Sequence, residues 1–260
     1  MVKFNHLDFY RNDVFSQNGE DGVISELLKR LGLNNNLEVV EFGACDGIYL
    51  SNTFNLIKKN LVKKAIYIEH NKKFFEKLKK NAEINSCITA LNISVEKDKN
   101  SKNSLENILN NTNINKDVDI LSIDIDSYDL EVFLSLEKYQ PKILIIEVNR
   151  MEVGIFHRHT KEIPGNSFSE TVLQIRKKGF CPIIYTGNLI FINNKYLHKV
   201  GLSKKIIKNA DLLYNYHNFF YKYKSISILR KFLMTIIPLY ILNYLYKLKK
   251  NYFFKNNISV

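Results

Sequence analysis

The sequence predicts a doubly wound α/β domain with a seven-stranded, mainly parallel sheet that ends in an antiparallel hairpin. Three features predict this fold. From residue 37 onward, short apolar runs alternate with segments of helical period, as in βαβ units. A glycine-containing loop, Gly43 to Gly47, follows the first run, and two apolar runs close the body across a tight turn. With 260 residues, 45% of them hydrophobic, the chain can bury one such core and carry an appendage.

The apolar runs give seven strands in a definite order. They are Leu37 to Phe42, Ala65 to Glu69, Cys87 to Leu91, Val118 to Asp124, Lys142 to Val148, Cys181 to Tyr185 and Leu189 to Asn193. Thr186, Gly187 and Asn188 link the last two strands. A doubly wound sheet that ends in a hairpin is the arrangement of class I methyltransferases, whereas dinucleotide dehydrogenases usually continue with parallel units.

Helical periodicity fills the intervals between most of these strands. The predicted helices are Asp21 to Leu31, Ser51 to Asn60, Lys72 to Ile84, Asp129 to Tyr139 and Ser167 to Lys178. Three divisions of the chain follow: an N-terminal helical segment, 1–36, an α/β domain of the class I methyltransferase arrangement, 37–200, and a helical tail, 201–260.

The charge is concentrated in that tail. The net charge of the chain is +12, of which the last 60 residues carry +10. Because the body is nearly neutral, the basicity does not predict specific nucleic-acid binding. The three cysteines, Cys45, Cys87 and Cys181, form no CxxC pair, so neither a zinc site nor a disulfide framework is expected. The N-terminus lacks the apolar run of a signal peptide, which predicts a cytoplasmic protein.

The loop after the first strand distinguishes between nucleotide cofactors. A dinucleotide site requires GxGxxG, but residues 41–47 read EFGACDG, and Asp46 would repel a pyrophosphate. S-adenosylmethionine has no phosphate and carries a sulfonium and an ammonium, which nearby carboxylates favour. Glu69 ends the second strand, where an acid can bind both ribose hydroxyls. The sequence therefore predicts S-adenosylmethionine as the cofactor.

Four motifs together resemble the FkbM-type methyltransferase family. They are FSQNGEDG at 15–22, VEFGACDG at 40–47, LSIDID at 121–126 and IIEVN at 145–149, within a similarity that spans roughly residues 14–193. The resemblance implies a class I enzyme that methylates hydroxyl groups, often on sugars or secondary metabolites and often encoded with polysaccharide or capsule biosynthesis. It also implies that Gln17 or Glu20 folds over the methionine end of the cofactor. The alternative is that Gln17, Glu20 and Asp21 only cap a helix.

Residues from three segments are thus candidates for cofactor binding. They are Gln17, Glu20, Asp21, Glu41, Gly43, Ala44, Asp46, Gly47 and Glu69.

The acceptor is expected at the carboxyl ends of strands four and five, where open α/β sheets bind ligands. Asp124, Glu147 and Asn149 could there hold Mg²⁺ or Mn²⁺, which would lower the pKa of the acceptor hydroxyl. The alternative is a set of carboxylates that orient sugar hydroxyls. A metal-free reaction needs a general base. The candidate catalytic residues are Asp124, Asp126, Asp129, His157 and His159.

The tail contains an apolar stretch, Phe232 to Tyr246, that Pro238 and Asn243 interrupt and cations flank. It is too short to span a bilayer, so we expect residues 226–255 to lie on an anionic membrane surface. The alternative is a pair of helices that packs on the body or on a second subunit, giving a homo-oligomer.

Two functions are compatible with these features. The first is an O-methyltransferase that acts on a sugar hydroxyl, either in a nucleotide-activated sugar or in a surface glycan. The second is a noncatalytic protein that retains the fold and binds a membrane or a partner through its tail. The charge pattern of Glu41, Asp46 and Glu69 favours the enzyme.

Overall fold

The computed structural model describes residues 7–149 and 151–221, which form one seven-stranded sheet with helices on both faces. The strands are β1 (Leu37–Phe42), β2 (Val62–Ile68), β3 (Ile88–Leu91), β4 (Ile120–Ile123), β5 (Ile143–Glu147), β6 (Phe180–Tyr185) and β7 (Asn188–Asn193). Their spatial order is β3-β2-β1-β4-β5-β7-β6, and β7 runs antiparallel to both neighbours. The predicted fold class is confirmed.

Short helices connect and flank the strands. They are α1 (Glu20–Leu31), α2 (Phe54–Lys58), α3 (Lys72–Ile84), α4 (Leu105–Asn110), α5 (Asp129–Ser135), α6 (Phe168–Lys177), α7 (Leu197–Val200), α8 (Lys204–Lys208) and α9 (Asp211–Tyr221). A 3₁₀ turn, Leu7–Tyr10, precedes α1, and another, Asn194–Tyr196, precedes α7.

Several predicted boundaries were wrong by a few residues. The second helix begins at Phe54 rather than Ser51, because the hydroxyl of Ser51 binds the backbone N–H groups of Thr53 and Phe54 and a buried carboxylate. Helix α5, predicted to run from Asp129 to Tyr139, ends at Ser135. Helix α4 was not predicted, because six residues give too little periodicity to recognise. The hairpin link is Thr186 and Gly187, since Asn188 already belongs to β7.

Both faces of the sheet are covered, which explains why its strands are continuously apolar. Along β1, Val40 and Phe42 face one hydrophobic layer, while Leu37 and Val39 face the other. All four side chains are at most 1% exposed. Parallel pairing of β1 with β2 and β4 brings the carboxyl ends of these strands to one edge, which is where the predicted site lies.

The segment before α1 is fastened to this edge by buried polar contacts. One carboxylate oxygen of Asp21 accepts hydrogen bonds from the backbone N–H groups of Val14, Phe15 and Ser16. The Arg11 guanidinium donates to the carbonyl oxygen of Tyr185, at the end of β6, over 2.6 Å. These contacts hold the residues before α1 against the terminal hairpin.

The first part of the basic tail packs on the body. Helices α8 and α9 lie against β6, and the ring of Tyr214 stacks on Tyr185 with centroids 5.6 Å apart. Ile206 and Leu213 are each 4% exposed, and Arg176 donates to the carbonyl oxygen of Ile207. Up to residue 221, therefore, the tail forms helices that pack on the body. This agrees with the predicted alternative to membrane contact for this part of the tail. The division of the chain at residue 200 stays a prediction.

The whole of the predicted membrane contact at 226–255, including the apolar stretch Phe232 to Tyr246, lies outside the described residues. Within 7–149 and 151–221, no helix has the length and apolar character needed to cross a membrane.

Truncating Tyr214 should reveal how far the body depends on α9. Tyr214 is 6% exposed and packs on Phe168 and Tyr185, so we expect Tyr214→Ala to lower the free energy of unfolding by about 3 kcal/mol or more. The control is Tyr49→Ala, at a side chain 67% exposed, which should cost no more than about 0.5 kcal/mol. Urea unfolding followed by circular dichroism measures both; equal effects would contradict the packing role of α9.

Candidate active site

The site begins where β1 and β4 end side by side. Gly43 has a φ of +71°, and a Cβ there would lie 1.5 Å from the carbonyl oxygen of Asp124. Only glycine permits this close approach of the two chains. The approach brings the loop after β1 alongside the acidic residues that follow β4.

Glu41 is buried at the end of β1 and organises the loop before α2. Its carboxylate accepts hydrogen bonds from the Ser51 hydroxyl, the Asn52 N–H, and both the N–H and the hydroxyl of Thr53. Burial raises its pKa although these bonds favour the ionised form. Glu41 was predicted to contact the cofactor; in the structure its carboxylate accepts hydrogen bonds from residues 51–53, so it supports the site from within the protein.

Glu69 joins the loop after β1 to the end of β2. One of its oxygens accepts from the N–H of Cys45 at 2.9 Å, and the other accepts from the N–H of Asn71 at 2.6 Å. The residue is 5% exposed. Each carboxylate oxygen can accept a second hydrogen bond, so the position predicted to bind ribose keeps that capacity.

A cavity of about 210 Å³ opens at this edge, between the ends of β1, β2 and β4. Apolar side chains and polar groups both line it. The lining residues are Phe42, Gly43, Ile68, His70, Ile93, Ser94, Val95, Ile125 and Ser127. Ile68 and His70 are the chain neighbours of Glu69, so the cavity lies next to the position predicted to bind ribose.

The remaining loop residues shape this cavity through the backbone. One oxygen of Asp46 accepts from the N–H groups of Ile48 and Tyr49, which closes a tight turn. Gly47 has a φ of +81°, and a Cβ there would lie 2.6 Å from Leu78 of α3. Ala44 is 2% exposed and packs into the core. The predicted cofactor loop is therefore a compact turn that rests on α3.

A second cavity, of about 280 Å³, lies beside the end of β5. Amide and carboxylate side chains dominate its lining. The lining residues are Gln17, Asn18, Asp126, Glu147, Val148, Asn149, Pro164, Gly165, Gly187 and Asn188. The structure thus brings the segment before α1, the hairpin and the ends of two strands into one polar cavity, which we call the acceptor cavity.

Three carboxylates converge at the acceptor cavity. Asp124, Asp126 and Glu147 each offer an oxygen, and these atoms all lie within 4.8 Å of one another. Burial, and then the charge of Asp129, raises the pKa of Asp124 to about 7. Burial, and then the charge of Asp124, raises the pKa of Glu147 to about 9. The cluster therefore retains protons near neutral pH unless a cation compensates its charge.

Oxygen ligands at this spacing suit a hard divalent cation. Asp124 and Glu147 were the predicted carboxylate ligands, and Asp126, predicted as a base, joins them. The third predicted ligand, Asn149, lines the same cavity, and its amide N–H donates to the carbonyl oxygen of Pro164. The metal stays a prediction.

Both carboxylate oxygens of Asp129 are engaged in hydrogen bonds within the protein. Its two oxygens accept from the N–H groups of Ile125 and Ser127, and the residue is 2% exposed. It fixes the turn between β4 and α5. This arrangement favours a positioning role over the predicted role of general base.

The two histidines stabilise the segment between β5 and α6. Nδ1 of His159 accepts from the N–H of Gly165, so a neutral ring carries its proton on Nε2 and has no free basic nitrogen. The Nε2 atom of His157 lies 3.0 Å from the carbonyl oxygen of Ile163. Neither histidine lines the acceptor cavity, so neither is placed as its base.

The predicted residues before and within α1 divide between the two interpretations. Asp21 caps the preceding segment, as described above, whereas Gln17 is exposed and lines the acceptor cavity. Glu20 is 0% exposed; one of its oxygens accepts from the N–H of Asn18, and its Oε1 atom has no hydrogen-bond partner. A buried carboxylate oxygen without a donor favours a cationic neighbour.

The sequence did not indicate several cavity residues. Asn18, Asn188 and Gly187 come from the N-terminal segment and the hairpin, and a Cβ on Gly187 would lie 2.9 Å from the side chain of Asn18. Only their positions in the fold bring them together. The motif NGED at 18–21 was the one available signal for Asn18.

The strand order, the terminal hairpin and the two cavities at the carboxyl edge define a class I methyltransferase-like fold. Solved structures with similar folds include M. capricolum TrmK in complex with S-adenosyl-homocysteine, at 17% identity and a TM-score of 0.44, with 87% of this chain and 93% of that one covered. A SAM-dependent methyltransferase from Aquifex aeolicus follows at 14% identity and a TM-score of 0.42, with 65% and 88% covered. No curated protein sequence is significantly similar to this chain.

Residues 94–180 match the methyltransferase FkbM domain. The matched region includes β4, β5 and α6, and with them the three clustered carboxylates. The match confirms the predicted resemblance to FkbM-type methyltransferases over residues 94–180.

Gly43 provides a test of the edge where β1 meets β4. A methyl group there would overlap the Asp124 carbonyl, so we expect Gly43→Ala to lower the free energy of unfolding by about 3 kcal/mol or more and to abolish S-adenosylhomocysteine binding. Gly179→Ala is the matched control, since its φ is +86° but nothing lies within 4 Å; it should cost about 1 kcal/mol. Thermal unfolding and calorimetric titration measure these effects. Similar losses in both variants would contradict the steric argument.

Proposed function

We propose that this protein transfers the methyl group of S-adenosylmethionine to a hydroxyl oxygen of a sugar. The observation that carries the proposal is the acceptor cavity, in which three clustered carboxylates and several amides stand beside the cofactor edge of the sheet. The proposal has three parts: the position of the donor, the character of the acceptor and the activation of the hydroxyl.

The donor fits the edge formed by β1, β2 and β4. Its adenine ring would occupy the 210 Å³ cavity, and its ribose hydroxyls would donate to the Glu69 carboxylate. Gly43 separates this cavity from the acidic residues after β4. A donor extending past Gly43 would direct its methyl group toward Asp124 and Asp126, and its ammonium would find acidic groups there. In-line approach of the acceptor then completes the arrangement.

The acceptor cavity suits a neutral, hydroxyl-rich group. Asn18, Asn149 and Asn188 present amides, which both donate and accept hydrogen bonds, and Asp126 and Glu147 accept them. The described lining residues carry no cationic side chain. The described lining therefore supports a sugar ring rather than a phosphate at this position.

The clustered carboxylates supply two routes to activate a hydroxyl. An ionised Asp124 could accept the hydroxyl proton as the methyl group transfers, because a carboxyl whose pKa is near 7 is a suitable base. Asp126 offers a second carboxylate oxygen beside it. Alternatively, Asp124, Asp126 and Glu147 would hold Mg²⁺ or Mn²⁺, which would lower the pKa of a bound hydroxyl.

Donor binding tests the first part. We expect S-adenosylhomocysteine to bind in a calorimetric titration, and Glu69→Gln to weaken it about tenfold or more, because a hydrogen bond to a charged group contributes ~1.5 to 3 kcal/mol. The control is Glu83→Gln, an exposed position of α3, which should leave binding unchanged. A folded wild-type protein that binds no donor would favour the noncatalytic binding protein.

Removing the central carboxylate tests the acceptor chemistry. We expect Asp126→Asn to lower turnover of a glycan acceptor about a hundredfold or more, as loss of a general base does, while S-adenosylhomocysteine binding persists. Methyl transfer is measured by mass spectrometry of the acceptor.

Excess chelator distinguishes the two routes. Loss of turnover that Mg²⁺ or Mn²⁺ restores would favour the metal, whereas unchanged turnover would sink it and leave Asp124 or Asp126 as the base. Full activity of Asp126→Asn would exclude Asp126 from both routes and leave Asp124 as the base.

A further inference from the structure

An exposed basic surface lies on α3, away from the acceptor cavity. This helix packs along β3, the edge strand opposite the terminal hairpin, and Leu78 is its one buried residue. Phe75 and Ala82, half-buried, complete its contact with the core. Five lysines and two glutamates occupy the helix, so most of its surface is basic and faces solvent.

The charges on α3 are sorted by face. Lys73, Lys77 and Lys80 recur at spacings of four and three residues, which places them on one side of the helix together with Ile84. We call this side the lysine face. The other flank carries Lys72 and Lys79, each followed four residues later by a glutamate, Glu76 or Glu83. Opposite charges at that spacing lie next to each other, so the net positive charge is concentrated on the lysine face.

Exposed apolar side chains border the lysine face. Ile84 is 81% exposed and Phe74 is 38% exposed. The loop after β1 rests on the same helix, since Asn81 donates to the carbonyl oxygen of Asp46, and this loop presents Tyr49 at 67% exposure and Leu50 at 40%. Soluble proteins commonly expose single apolar residues, but here four stand next to a row of lysines.

We infer that the lysine face docks on an anionic lipid surface. The lysines match the negative potential of such a surface, and Tyr49, Leu50, Phe74 and Ile84 provide apolar groups for the interface between headgroups and acyl chains. A polyanion such as RNA would use the lysines and stack its bases on Tyr49 and Phe74, but it would leave Leu50 and Ile84 in water. The helix begins at the carboxyl edge of the sheet, directly after β2, so docking would bring that edge close to the membrane.

Vesicle binding by the full-length protein tests the contribution of the lysine charges. Sedimentation with vesicles of phosphatidylcholine and phosphatidylglycerol should show binding that vesicles of phosphatidylcholine alone do not. Each lysine near such a surface raises the affinity about fivefold. The double variant Lys73→Gln with Lys77→Gln should therefore weaken binding about 30-fold. The matched control, Lys72→Gln with Lys79→Gln, also removes two lysines from α3 and should weaken binding less than about fivefold.

The outcome distinguishes the lysine face from the rest of the basic chain. Equal losses in the two double variants, or no loss in either, would overturn the proposal, as would binding of RNA without binding of vesicles. Circular dichroism and S-adenosylhomocysteine titration check that both variants are folded. The assay contains neither methyl donor nor acceptor, so its result is independent of the proposed reaction.

A fluorescent reporter tests whether the apolar side chains beside the lysine face enter the lipid interface. The chain has no tryptophan, so Tyr49→Trp introduces a single one at the border of the lysine face. Its emission should shift to shorter wavelength when anionic vesicles are added. Leu173→Trp is the control, at a side chain 41% exposed on α6, which packs on β6 at the far edge of the sheet, and its emission should not shift. Binding to vesicles without a shift at position 49 would assign the contact to another part of the chain and overturn the proposal.

Discussion

The close approach of Gly43 to the Asp124 carbonyl is the constraint on which the site depends. It fixes how β1 and β4 end relative to each other, and so it determines where the loop of residues 43–47 lies. That loop in turn places the backbone N–H of Cys45 on Glu69. A single position without a side chain thus separates the proposed donor cavity from the carboxylates of the acceptor cavity, while keeping the two adjacent.

Buried carboxylates have two different uses around this edge. Glu41, Asp21 and Asp129 accept hydrogen bonds from backbone or hydroxyl groups, and these bonds hold the neighbouring loops in place. Asp124 and Glu147 instead lie close to other carboxylates, and burial together with these neighbouring charges raises their pKa values. The pair Asp124 and Glu147 is electrostatically unfavourable until it gains protons or a cation. Perturbed pKa values of this kind are common among the reactive groups of functional sites.

The acceptor cavity depends on segments that are distant in the chain. Arg11 connects the N-terminal segment to the end of β6, and this contact positions Gln17 and Asn18 opposite Asn149 and the hairpin. The helices after residue 203 pack on the outer side of the same hairpin through Tyr185 and Tyr214. Both ends of the described chain therefore support the terminal hairpin, whose antiparallel strands supply one wall of the cavity.

Basic charge in this protein is distributed by element rather than spread evenly. The described lining of the acceptor cavity is acidic and polar, whereas α3 carries its lysines on an exposed face at the opposite end of the sheet. The two surfaces would act on different partners. Their charges would influence each other little, because interactions between exposed charges more than about 10 Å apart are largely screened at physiological salt.

By itself, the sequence determined the fold class and the positions of most strands, because continuous apolar runs and helices of period 3.6 are local properties of the chain. It also indicated Glu69, Asp124, Asp126 and Glu147, since acids at the ends of parallel strands meet at one edge whatever the details of packing. The tertiary structure alone decided that Glu41, Asp21 and Asp129 are held by hydrogen bonds within the protein, and that Asn18 and Asn188 line the cavity. Hydrogen-bond partners and cavity walls come from residues far apart in the chain, and their meeting depends on three-dimensional packing that no local pattern records.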